Sequence, residues 1–337
     1  MLYKTLITAY ANTLAGKFDH SNTDPIPPGL SRIHAAAIGR MANFRSQALS
    51  RLQRARPFFL DSNAAAYVAT FRQGLIERGS DMIGEIELPA EICFVEYDAR
   101  SLADFCEKAW GVEVEDKDQM GRRGILVDNS EDDFLRIQTF KSTDNGILID
   151  PFADHLFSKD PAGQITGNVR CKPNDHVLQF TQVAIGADYA DLQEMMDETM
   201  AGDQESYATA YGLFALLASR TNDIETAVCE TFTQKERKTA KKFGKRHILD
   251  APEQFATIVL GEPGKRYMRQ LEEDREDHRA IAEGRRPPVR HKVREHVRRY
   301  KSGKVIVVKS FERGHEDDLR PTRVTAVCDD FSSGPDM

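Results

Sequence analysis

Apolar residues in the first part of the chain recur at steps of three and four, which is the period of an amphipathic helix. One such stripe runs over residues 2–14, a second over residues 31–53 and a third over residues 63–76. Ser31 suits the start of the second helix, because a serine hydroxyl can accept a hydrogen bond from a backbone N–H of the first turn. The pattern therefore predicts a helical region over residues 1–80.

After this region the apolar positions alternate with polar ones, a period of two that is typical of strands. Only one helical stretch, residues 102–110, interrupts the series, so the pattern favours an antiparallel sheet over a doubly wound one. Asp144, Asn145 and Gly146 form a strong turn signal between two of the strands. The predicted strands cover residues 92–97, 124–127, 134–140, 147–149 and 177–185.

The helical period returns over residues 188–220, and residues 207–218 are apolar enough for a central core helix. A highly charged helix is predicted over residues 267–282, and Pro287-Pro288 prevents its continuation. Two further strands are predicted, at residues 304–308 and 323–328.

These patterns together predict an α+β fold in three parts. A helical N-terminal region covers residues 1–80. The central α+β domain, residues 81–284, holds an antiparallel sheet with packed helices, and the basic C-terminal α/β segment covers residues 285–337.

Charge is distributed very unevenly along the chain. Residues 285–314 contain eleven Lys or Arg and two Glu, whereas the whole chain has a formal net charge of −7. Residues 81–160 are the acidic counterpart, with 20 Asp or Glu and eight Lys or Arg. A cationic stretch of this density can hold phosphates, and bases can stack on Tyr300 or Phe311. The alternative is a solvated face that pairs with the acidic region of the same chain.

Other candidate chemistry is weaker. The five cysteines are widely spaced without a C-x-x-C pair, so we expect reduced thiols and a cytoplasmic protein. His291 and His296 are five residues apart and would diverge on a helix, so no metal site is expected there. No catalytic residues and no cofactor are predicted. The longest apolar run, residues 211–218, is too short to span a membrane.

An acidic cluster between two predicted strands has two interpretations. Paired carboxylates can hold magnesium for a nuclease. A polar turn that joins two strands is built from the same residue types. The cluster comprises Asp128, Glu131, Asp132 and Asp133.

Several short blocks, in a shared order, resemble the phage and mobile-element proteins related to the type V-A anti-CRISPR that blocks synthesis of the type V effector nuclease. One block reads R-H-x-V-R-x-H and spans Arg290 to His296, and over Arg294 to Val297 this chain lacks the Gly and Trp of the family. The blocks are Leu88-Pro89 before Cys93-Phe94-Val95, the apolar residues 213–217 before Asp223-Ile224, Gly261-Glu262 before a charged helix, Pro288 before the R-H-x-V-R-x-H block, and Gly303-Lys304 before strand residues 305–308.

The resemblance implies that the protein recognises the N-terminal peptide of a type V CRISPR effector during translation, after which the mRNA is degraded. It thus implies a binding protein near the ribosome or mRNA in the cytoplasm of a bacterial host. The runner-up is an RNA-binding protein or metal-dependent nuclease of a phage or mobile element. A phage protein without a nucleic-acid role is a third interpretation. The residues expected to make direct contacts are Arg290, His291, Arg294, His296, Arg298, Arg299, Lys301 and Lys304.

Overall fold

A computed structural model of the chain describes residues 1–14, 31–77, 87–111, 113–114, 117, 120–185, 189–219, 221–282, 291–293, 296–299, 305–308 and 311–313. The chain divides into two compact units, Met1–Tyr267 and Met268–Met337. Both predicted domain boundaries, after residues 80 and 284, lie outside the described residues.

The first unit contains one mixed, mostly antiparallel sheet surrounded by helices, which confirms the α+β class. Its strands within the described residues are β1 (Arg56–Leu60), β2 (Ile92–Asp98), β3 (Met120–Asp128), β4 (Phe134–Thr143), β5 (Leu148–Ile149), β6 (Ala153–Lys159), β7 (Ile165–Pro173), β8 (Ile224–Glu230) and β9 (Gln254–Leu260). They are ordered β7-β6-β4-β3-β2-β1-β9-β8, and β5 pairs with β4.

The helices of the described residues confirm most of the predicted helical stretches. They are α1 (Leu2–Leu14), α2 (Ser31–Arg54), α3 (Ser62–Glu77), α4 (Ala99–Trp110), α5 (Asp175–Ile185), α6 (Tyr189–Ser219), α7 (Gln234–Lys242), α8 (Arg246–Leu249) and α9 (Glu262–Ala282). Helices α1, α2 and α5 lie on one face of the sheet, and α3, α4 and α6 lie on the other. The central strands of the sheet, such as β2, are therefore covered on both sides.

Two strand pairs depart from the predicted antiparallel arrangement. Strand β1 runs parallel to β2, with Phe58 opposite Val95, and parallel to β9, with Phe58 opposite Ala256. Helix α3 makes the crossover from β1 to β2, as parallel neighbours require. The sequence did not predict β1, because the strand has only five residues and no turn signal separates it from the helices on either side.

The prediction of a strand at residues 177–185 is wrong, because this segment is helix α5. Asn174 caps it: the Val177 N–H donates to Asn174 Oδ1 at 3.4 Å and the Leu178 N–H to Asn174 O at 3.0 Å. Val177 is buried, and Leu178 and Phe180 pack against the same cluster. Val177 and Phe180 are three residues apart, so they share the side of the helix that packs on α2.

A buried carboxylate attaches the first helix to the sheet. Glu96, in the middle of β2, is fully buried and accepts hydrogen bonds from the Leu2 and Tyr3 N–H groups at 2.8 and 2.9 Å. Arg122 Nη1 donates to the same carboxylate at 2.8 Å. These N–H groups have no partner within a helix, so Glu96 supplies both an acceptor and the negative charge that a helix N-terminus favours.

Aromatic rings surround this attachment. The Tyr3 ring lies 5.1 Å from the Phe94 ring, which lies 6.3 Å from that of Phe140. The Phe94 ring occupies the space above Gly124 on the neighbouring strand, where an added Cβ would stand 2.3 Å from Phe94 Cζ. Glycine at position 124 is thus a packing requirement of the core.

We expect Gly124→Ala to lower the free energy of unfolding by roughly 1–3 kcal/mol, because the methyl group must displace a ring held by its neighbours. Urea unfolding followed by circular dichroism measures this. Gly39→Ala is the matched control: an added Cβ meets nothing within 4 Å in the middle of α2. That control should leave stability unchanged or raise it by up to about 1 kcal/mol. Equal effects of the two variants would contradict this account of Gly124.

Candidate nucleic-acid interface

The second unit contains two short antiparallel ladders. Strand β10 (His291–Val293) pairs with β13 (Phe311–Arg313), and β11 (His296–Arg299) pairs with β12 (Val305–Val308). The position of β12 confirms the strand predicted at residues 304–308, whereas the strand predicted at residues 323–328 lies outside the described residues.

Both ladders keep the same offset. His291 pairs with Arg313, and each step forward on the first strand is a step back on the second, down to Arg299 with Val305. The two ladders thus follow the same pairing rule, although they are separate two-stranded sheets. We call strands β10 to β13 the C-terminal ribbon.

The alternation of residues along a strand separates the basic positions into two groups. On β11, His296 and Arg298 are two residues apart and share one face, and Val297 and Arg299 share the other. In the other ladder, Lys292 lies opposite Glu312 and His291 lies opposite Arg313.

The structure places half of the predicted contact residues. His291 lies on β10, and His296, Arg298 and Arg299 lie on β11. Arg290, Arg294, Lys301 and Lys304 lie outside the described residues. The two histidines are on strands and not on a helix. They belong to separate two-stranded sheets.

The acidic cluster forms a loop between β3 and β4, as the polar-turn interpretation predicts. Asp128 is buried and accepts a hydrogen bond from the Ser130 N–H at 3.0 Å. Lys159 Nζ donates to the backbone oxygens of Asn129, at 3.2 Å, and Glu131. Within the described residues no group of three or more His, Cys, Asp or Glu side chains is arranged to hold a metal ion.

A buried charged cluster in the first unit was not predicted from the sequence. Lys141 Nζ on β4 lies 3.0 Å from Oδ1 of Asp203 on α6, and Nε2 of His155 on β6 lies 3.5 Å from Oδ2. Asp203 is fully buried, and burial lowers the pKa of Lys141 while Asp203 opposes that shift. Asp203 is far in sequence from Lys141 and His155, so only the packing of α6 on the sheet brings the three side chains together.

Comparison with protein-family models, curated proteins and solved structures finds no match to this chain. No helix in the described part of the chain is both long and apolar enough to cross a membrane.

We expect Lys141→Met to lower the free energy of unfolding by about 3–5 kcal/mol, because Asp203 then stays buried without its ammonium partner. Arg54→Met is the control, since Arg54 and Glu91 form an ion pair with side chains that are 55% and 62% exposed. Loss of such an exposed pair should cost less than about 1 kcal/mol. Urea denaturation of both variants provides the comparison, and a cost below about 1 kcal/mol for Lys141→Met would rule out this role of the pair.

Proposed function

We propose that the protein is a binding protein that contacts RNA through the C-terminal ribbon. The observation that carries the proposal is the concentration of cations in and around the ribbon, since residues 285–314 contain eleven Lys or Arg and two Glu. A dense run of Lys and Arg suits a phosphate backbone, because cations that neutralise phosphates release the counterions bound there.

The charge distribution supports the same proposal. The segment over residues 285–314 has nine more positive than negative side chains, in a chain with a net charge of −7. Such a concentration attracts a polyanion locally although the whole molecule is acidic. RNA is favoured because its unpaired bases can also stack on aromatic and guanidinium groups, and this contact needs no particular sequence.

We expect Lys292→Gln and Arg298→Gln each to weaken binding of a single-stranded RNA oligonucleotide and to reduce its salt dependence. The slope of the logarithm of the binding constant against the logarithm of salt concentration should become shallower by about 0.7 for each phosphate contact removed. Fluorescence anisotropy of labelled RNA at several salt concentrations gives these slopes.

Lys238→Gln provides the control. Lys238 is exposed on α7 in the first unit, and its substitution removes the same charge. Its slope should equal that of the unaltered protein. Equal slopes for all the variants would refute contact through the ribbon. RNA cleavage that stops on chelation of divalent metal and on change of Asp132 or Asp133 would favour the nuclease alternative instead.

The resemblance to anti-CRISPR proteins supports a finer proposal. We infer from it that the protein recognises the nascent N-terminal peptide of a type V CRISPR effector and represses its synthesis through loss of the mRNA. The ribbon then serves to hold the protein at the ribosome or mRNA, in the cytoplasm of a bacterial host. Peptide recognition is assigned to other parts of the chain.

Under this division of roles, we expect the double variant Lys292→Gln/Arg298→Gln to leave the ribosome fraction of translating cells but still to bind the effector's N-terminal peptide. Sedimentation of cell extracts measures the first property and anisotropy with a labelled peptide measures the second. Retained ribosome association together with lost peptide binding would refute the division. The Lys238→Gln variant should keep both properties.

A further inference from the structure

The two edges of the sheet in the first unit differ in their protection against added strands. Strand β7, at one edge, contains Lys172 and Pro173, and its pairing with β6 shifts in register between Phe157 and Lys159. Strand β8, at the other edge, contains no Lys, Arg, Pro or Gly and pairs with β9 without a shift over all of Ile224–Glu230. Proteins use cationic residues, proline and irregular pairing to keep other chains away from an edge strand. Strand β7 has these features and β8 has none.

The backbone of β8 has one side available for a further strand, because within the described residues β8 pairs with β9 alone. The Thr231 N–H donates to Glu253 O at 2.8 Å and the Gly261 N–H donates to Asp223 O at 2.9 Å, so the odd-numbered residues bond to β9. Successive residues of an antiparallel strand direct their N–H and C=O groups to opposite sides. The residues of β8 that point away from β9 are therefore Thr226, Val228 and Glu230.

The side chains of β8 are exposed on both faces of the sheet. Every residue from Glu225 to Glu230 is exposed, and Val228 keeps 64% of its surface accessible. An added strand would cover part of Val228 with a facing side chain. Glu225 and Glu230 belong to opposite faces, because they are an odd number of residues apart. Neither glutamate takes part in an ion pair with another described residue, so both charges are available to a partner.

We propose that β8 binds an extended segment of a partner protein, added antiparallel to its outer edge, with Lys or Arg opposite Glu225 and Glu230. Strand addition gains affinity from main-chain hydrogen bonds and specificity from side chains at alternate positions. Opposite charges at facing positions stabilise a strand pair, and like charges destabilise it. A second copy of this chain is a poorer occupant, because pairing β8 with β8 would add two glutamates and no cation. The inference rests on this sheet edge alone and goes beyond both functions proposed above.

A synthetic peptide, Lys-Thr-Val-Thr-Val-Lys with fluorescein at its N-terminus, tests the proposal by fluorescence anisotropy with the full-length protein. Its lysines face Glu230 and Glu225, its third residue faces Val228, and we expect saturable binding. N-methylation of the third residue removes an N–H that points at β8 and should weaken binding at least about tenfold. N-methylation of the fourth residue removes an N–H that points to solvent and should change the binding constant by less than about threefold.

An exchange of charges tests the complementarity. The variant Glu225→Lys/Glu230→Lys should bind the basic peptide at least about tenfold more weakly and should instead bind Glu-Thr-Val-Thr-Val-Glu. Asp132→Lys/Asp133→Lys is the matched control, because it changes the net charge equally at exposed residues of the loop between β3 and β4. This control should keep the preference for the basic peptide.

Val228→Lys tests the edge itself. Because Val228 is exposed, the substitution should leave urea unfolding unchanged, but it should weaken binding of the basic peptide at least about tenfold. Four results would overturn the proposal: no saturable binding, equal effects of the two N-methylations, a charge-exchanged variant that still prefers the basic peptide, or a dimer that Val228→Lys converts to monomer in analytical ultracentrifugation. The last result would assign the edge to a second copy of the chain.

Discussion

The carboxylate of Glu96 sits on the central strand without access to solvent, and three donors from two other elements share its oxygens. A buried charge is stable only when its lone pairs are occupied and a counter-charge is near. The start of α1 and the guanidinium of Arg122 provide both. The position of α1 on the sheet, and with it the aromatic cluster of Tyr3, Phe94 and Phe140, follows from this one group.

Hydrophobic periodicity was sufficient to predict the long helices but not the short strands. Helices α1, α2, α3 and α6 were predicted because each repeats its apolar face over several turns. Strand β8 escaped notice because it lies at the edge of the sheet, where six of its seven residues are exposed and no apolar alternation is needed. Segment 177–185 was assigned as a strand because a short apolar run has no distinctive period, and only the cap at Asn174 reveals a helix.

Some features of the candidate sites could be predicted from the sequence and others could not. A dense run of Lys and Arg can be recognised from the sequence alone. Which residue lies opposite each of them depends on strand register, which composition does not determine. The pair of Lys141 with Asp203 and the hydrogen bond from Arg123 to Ser206 both arise where α6 packs on the sheet. Contacts between residues so distant in sequence leave no local pattern, so sequence reading had no signal for them.

The parallel strand at the centre of the sheet has a consequence for the order of folding. Strand β1 ends at Leu60 and its second neighbour β9 begins only at Gln254, with most of the first unit between them. At translation rates of about 5–20 residues per second, that interval lasts roughly 10–40 seconds. During this time one edge of β1 has no partner strand, and an unpaired apolar edge invites association with other chains. The slow arrival of β9 thus makes the half-finished sheet the stage of biosynthesis at which chaperone protection matters most.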